Sequence, residues 1–190
     1  MFKIWISPRE REAYEWLDRE IANLRAAFRW AKDSGEIDLA ARIASNVGDM
    51  GRMRLRDEAA NWASEIVDAA REIEHPQLVL LLTWAASSAW AFQRLDEGKR
   101  FGEEAIALAE DPRFDTFVWA YTDLAMIAAL QGDHSRSLAL LLAGSAHPAD
   151  REDRFCLAML HYARAPYYRG DEATTAVAMI ALHCWLLLPM

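Results

Sequence analysis

Apolar side chains recur at helical spacing along most of the chain, broken by short polar turns. The first stripe is Tyr14, Leu17, Ile21, Leu24, Phe28 and Ala31, separated by 3, 4, 3, 4 and 3 residues. That is the rhythm of one helix face turned toward a core. A second line, Ala13, Trp16, Ala27 and Trp30, widens the face, so this helix is expected to be covered on two sides. Its start reads in Ser7-Pro8-Arg9-Glu10, with Ser7 as cap, Pro8 at the first helical position and Glu10 completing a capping box. Ser34-Gly35 reads as its stop. The pattern then predicts helices over 37–50, 56–74, 77–94, 97–109, 114–130, 134–143, 151–169 and 172–188. Pro76, Asp111-Pro112 and Pro148 punctuate them. The expectation is a single domain over 1–190 with about nine helices: an N-terminal helix in 1–35, then hairpins over 36–75, 76–110, 111–147 and 148–190. Val/Ile/Thr alternation is nearly absent, so the fold class is all-α.

Small residues repeat on top of this pattern. Ala59, Gly98, Ser137 and Thr175 lie 39, 39 and 38 residues apart, each a few residues into a helix that follows a turn. A fixed period of this size signals stacked helical hairpins, in which each unit buries its apolar face only against the next. Runs of small residues, Ala85 to Ala89 and Ala125, Ala128 and Ala129, make helices thin enough for close neighbours.

The spacing within the hairpins resembles tetratricopeptide-type repeats: a small residue, a large apolar one three or four later, and a small or apolar one seven later. Gly98, Phe101 and Ala105 fit it, as do Ser137, Leu141 and Gly144. Ala59, Trp62 and Ile66, and Thr175, Met179 and Leu182, fit more loosely. The period exceeds the usual value of about 34. The resemblance implies a right-handed superhelical stack of antiparallel hairpins. Residues 16–31, WLDREIANLRAAFRWA, followed by Ser34-Gly35-Glu36, resemble a stretch of large bacterial regulators. These are signal-transduction ATPases of the LuxR and AfsR type, including actinobacterial relatives with a nucleotide-cyclase domain. There the stretch opens the helical-repeat region just after the ATPase and its winged helix. The likeness covers residues 10–75 and implies a sensor or regulatory segment, a fragment or truncated paralogue without its effector domains. The phosphate-loop pattern of that family is absent: the one Gly-Lys pair, Gly98-Lys99, is followed by Arg100 and has no Gly five before it. No cyclase motif or DNA-reading helix-turn-helix is identifiable.

Charge narrows the function. The net charge is −8, with arginines scattered among glutamates rather than gathered on one face, so direct nucleic-acid binding is not expected. Arg52, Arg54 and Arg56 form the one local basic cluster, read as a solvated helix end. Two cysteines, Cys156 and Cys184, fit a reducing compartment and burial as small hydrophobes. No signal peptide is apparent, and the apolar run at 176–189 is too short to span a bilayer, so a cytoplasmic protein without membrane contact is expected.

Catalytic and metal chemistry find little support. Cys156 with His161, and His183 with Cys184, do not make the two ligand pairs of a zinc site. Any serine pairs on paper with any of five histidines, which is no triad signal. Glu103, Glu104, Asp115 and Asp123 read as solvated carboxylates on helix faces. No cofactor is implied, and the chain reads as a non-enzyme.

The aromatic residues carry the site prediction. In the repeat register, Trp84, Ser88, Trp119, Thr122, Met126, Arg164 and Tyr168 fall on first helices facing a groove, where aromatic anchors make binding hot spots. The alternative is that Trp84 and Trp119 form inter-repeat core. The functional expectation is therefore a protein-interaction or sensor module of a bacterial transcriptional or signalling regulator. Its partner is a protein, a peptide, or the ATPase and DNA-binding domains of a parent regulator. The alternatives are a structural or oligomerisation module and a small-molecule-binding helical domain. After Glu172 no residue is charged, so Trp185 and Leu186 are expected to be buried in a homodimer through 172–190.

Overall fold

The computed structural model describes residues 9–53, 57–115 and 119–146. Among these there are seven helices and no strand: α1 (Glu10–Asp33), α2 (Ile37–Met53), α3 (Asp57–Glu72), α4 (Leu78–Ala91), α5 (Leu95–Leu108), α6 (Trp119–Leu130) and α7 (His134–Ala146). The all-α class therefore holds. The helices expected over 151–169 and 172–188 lie outside the described residues, as does Ser7-Pro8 of the expected first cap. The described α1 begins at Glu10, where the Arg9 guanidinium bonds Glu12 at 2.9 and 2.7 Å and no side chain caps the backbone. The expected start of α6 at Phe114 is corrected. Asp111 to Asp115 form a turn, with Phe114 N–H donating to the Asp111 carbonyl while its ring is buried.

Each helix packs on the next in sequence, and α4 also packs directly on α2 and α6. α2, α4 and α6 thus form a close inner layer. The outer layer, α1, α3, α5 and α7, is bridged by long charged side chains, several of them 33 residues apart. Arg25 meets Glu58 at 2.6 Å, Lys32 meets Glu65 at 2.7 Å, Arg71 meets Glu104 at 2.6 Å, and Arg136 meets Glu103 at 2.5 Å.

The helix ends repeat too. Gly35 and Glu74, after α1 and α3, have φ of 74° and 48° and lie 39 residues apart. Gln93 and Gly132, after α4 and α6, have φ of 62° and 82°, again 39 apart. All four close their helices alike, the next residue's N–H reaching back to a carbonyl in the last turn: Glu36 to Ala31, His75 to Ala70, Arg94 to Ala89 and Asp133 to Ala128. This is the Schellman closure, which satisfies carbonyls the helix leaves unpaired.

Phe28 stacks on the fully buried Trp62 with ring centroids 4.9 Å apart, joining α1 to α3. Trp84 meets Trp119 edge-on at 6.3 Å, joining α4 to α6. Gly48 of α2 leaves room for the Trp84 ring, since a Cβ there would lie 3.2 Å from it.

Candidate functional site

α4 carries no charged residue and is packed on α2, α3, α5 and α6. Trp84, Ser88, Trp119 and Thr122, expected to line an open groove, are all buried. Trp84 Nε1 donates to the Ser45 carbonyl at 3.0 Å, and Ser88 Oγ donates to Asn61 Oδ1 at 2.8 Å. These four residues are core: α4 and α6 are packed tightly enough to keep almost no solvent face. Met126 is half-buried. Arg164, Tyr168, Trp185 and Leu186 lie outside the described residues.

Asp123 is also corrected. It is buried at 2% exposure, and its Oδ1 accepts from Trp90 Nε1 at 2.8 Å and Ser87 Oγ at 3.1 Å. Donors from α4 replace water around a carboxylate that α6 cannot expose. Glu103 and Glu104 belong to the outer-layer ion pairs.

Two polar clefts open among the described residues. The first, about 420 Å³, is lined by Asn61, Ser64, Glu65, Phe92 and Arg94. Its donors are largely committed: Arg94 bonds Asn61 at 2.8 Å and Glu97 at 2.9 Å. Burial raises the pKa of Glu65, but hydrogen bonds and charge from Arg29 and Lys32 outweigh this and hold it below the usual carboxylate range.

The second, about 330 Å³, lies between α2 and the α3–α4 turn, and is lined by Asp38, Arg42, Asn46, His75, Pro76, Gln77 and Asp115. Asp38, Arg42 and Asn46 stand four residues apart, one polar stripe on α2. Pro76 breaks the chain after α3 and sets His75 beside that stripe, and the Asp115 N–H bonds the Pro76 carbonyl at 2.7 Å. His75 is buried. Its Nδ1 accepts the Gln77 N–H at 3.1 Å, which puts the ring proton on Nε2, 3.3 Å from Asp38 Oδ1. That hydrogen bond first, and Arg42 at 3.0 Å after it, hold the Asp38 carboxyl below its ordinary range against a small desolvation cost. Among the described residues no serine, threonine or cysteine lines this cleft. Among the described residues no cluster of His, Cys, Asp or Glu could hold a metal ion, and no helix is long and apolar enough to cross a membrane.

Sequence reasoning missed this cleft. The polar i, i+4, i+8 stripe of α2 was visible in the sequence, but its partners His75, Gln77 and Asp115 come from two other turns. No family model, curated protein or solved structure matches the chain.

Proposed function

We propose that the chain is a non-catalytic, tetratricopeptide-like stack of helix hairpins that binds a protein or peptide in a bacterial cytoplasmic regulator. The observation that carries this reading is the recurrence of equivalent contacts: helix closures 39 residues apart, and the Lys32–Glu65 and Arg71–Glu104 ion pairs, whose partners are likewise 39 residues apart. Equivalent contacts at equivalent positions are what a stack of similar units produces. A close inner layer and a splayed, charge-bridged outer layer favour curvature into a superhelix. The nine-helix count and the regulator setting rest on the sequence pattern and its resemblance to the LuxR and AfsR type. The partner is a separate protein or peptide, or the ATPase and DNA-binding domains of a parent regulator.

Panning a displayed random-peptide library against the full chain tests the reading. A recurrent peptide with saturable, competable binding is expected. Enrichment no better than on an unrelated helical protein rejects it. A second reading, an oligomerisation module, is favoured by residues 172–190, which contain no charged residue after Glu172. It expects self-association in sedimentation at micromolar concentration, abolished by Trp185→Glu with Leu186→Glu. A monomeric parent chain rejects that second reading.

A further inference from the structure

We propose that the edge of the stack where the α1–α2 and α3–α4 turns meet is a docking surface for a cationic segment of a partner protein that also carries apolar side chains. Two bonds hold the neighbouring turns of this edge together. His75 Nε2 lies 3.3 Å from Asp38 Oδ1, and the Glu74 carboxylate meets Arg113, after α5, at 2.7 Å. The surface is built on apolar side chains left in water: Trp30, Leu39 and Ile73 are 59%, 41% and 56% exposed. Trp30 lies in the last turn of α1, Leu39 in the first turn of α2, and Ile73 directly after α3. Each therefore stands within one helical turn of a chain reversal at this edge. The core does not use them, since Phe28 and Trp62 join α1 to α3 from within. One exposed leucine is ordinary, but a tryptophan, an isoleucine and a leucine on one edge are apolar area that only a partner can remove from water. An exposed tryptophan is also the commonest kind of interface anchor.

Charge says what covers them. The basic side chains at this edge are engaged by acids of the chain: Lys32 by Glu65, Arg42 by Asp38, Arg71 by Glu104, and Arg113 by Asp111 and Glu74. Asp33, Glu36 and Glu72 are exposed and pair with no cation among the described residues. These three carboxylates are interleaved with the three apolar side chains, Asp33 after Trp30, Glu36 before Leu39, and Glu72 beside Ile73. A segment that covers the apolar groups must approach the carboxylates as well. An anionic segment is repelled there, and so is a second copy of a chain with net charge −8. A segment bearing lysine or arginine among apolar residues satisfies both demands.

The proposal rests on the reading of the chain as a protein- or peptide-binding module and names the chemistry of the partner. Titration calorimetry of the full chain with a blocked amphipathic peptide of leucine and lysine tests it. Saturable binding that weakens with added salt is expected. Trp30→Ala, and separately Asp33→Asn with Glu36→Gln, should each weaken it about tenfold, through loss of an anchor or of the charges beside it. Both variants change exposed side chains, so the melting temperature stays near that of the parent. Asp96→Asn with Leu130→Ser, at the opposite ends of the helices, leaves binding unchanged. The same peptide with glutamate for lysine, and oligolysine, should bind far more weakly. Equal binding of either rejects the proposal, because apolar area alone or charge alone would then suffice. No saturable binding, or binding indifferent to both edge variants, overturns it. Self-association of the chain that is lost in Trp30→Ala gives the surface to a second copy and overturns it too. A library peptide without basic residues, bound saturably and indifferent to both edge variants, overturns it while leaving the binding-module reading intact.

Discussion

A Cβ added at Gly98 would lie 2.9 Å from Ile127 Cδ1, and 3.2 Å from both the Ala86 carbonyl oxygen and the Ala89 Cβ. The Ile127 methyl can turn away, but the Ala86 carbonyl belongs to α4 and cannot. Gly98→Leu therefore drives α5 off its neighbours and destabilises by about 1–3 kcal/mol. Gly102, one turn further on, is different. Its added Cβ would meet Leu124 at 3.4 Å, an ordinary contact. Gly102→Ala is expected to stabilise by up to about 1 kcal/mol, because glycine is costly inside a helix. Urea midpoints of the two variants should move in opposite directions, and a shift of the same sign contradicts the packing described here. Gly98 was legible in the sequence because it falls in the 39-residue series of small residues. Gly48 was not, since the side chain that needs its space, Trp84, comes from another helix. Asp123 misled for a related reason: its partners, Ser87 and Trp90, lie more than thirty residues away.

At the scale of the element, two of the four Schellman closures hold a residue other than glycine in the left-handed region, Glu74 and Gln93. The side chain makes that region unfavourable, by about 1–2 kcal/mol in left-handed helices. Gln93 is exposed, so Gln93→Gly relieves this strain without removing a packed side chain. We expect a gain in stability of about 1 kcal/mol, less what glycine adds to unfolded-chain freedom. The converse test uses Gly132, where an added Cβ would have nothing within 4 Å. Gly132→Ala should lose stability purely through its backbone. Opposite shifts in melting temperature check the pair, and a neutral Gly132→Ala shows that φ of 82° is not the constraint. Most helix positions were legible because apolar periodicity fixes them, and Gly35 announced its turn. The closures at Glu74 and Gln93 lacked a glycine to mark them. Trp84 and Ser88 were misread as groove residues although their helix held the warning. α4 reads LVLLLTWAASSAWA without one charge, and a helix bordering an open groove needs a polar face.

Across the whole molecule, acid should reveal which charges hold the stack together. Two effects compete as pH falls. Starting from a net charge of −8, protonation first relieves self-repulsion, down to a pI near 5.1. Below that, carboxylates that the fold holds ionised must be protonated. Glu65 and Asp38 both titrate below their ordinary values, Glu65 through Arg29 and Lys32, Asp38 through His75 and Arg42. A carboxylate with a depressed folded pKa stabilises above its unfolded value, about 4, and that contribution is lost as pH falls through the folded value. Stability should therefore hold or rise slightly from pH 7 to pH 5, then fall steeply below about 4. Glu65 carries the clearest share, because its side chain is only 26% exposed and it meets two cations from α1. Glu65→Gln should be less stable than the parent at pH 7 and lose less on acidification, so the two curves converge at low pH. High salt should weaken the more exposed pairs, such as Arg25–Glu58, more than this one. Urea midpoints at a series of pH values, for parent and variant, read all of this directly. Curves that stay parallel down to acid would show that the outer-layer charges are bystanders, and that apolar packing of the inner layer alone holds the helices in register.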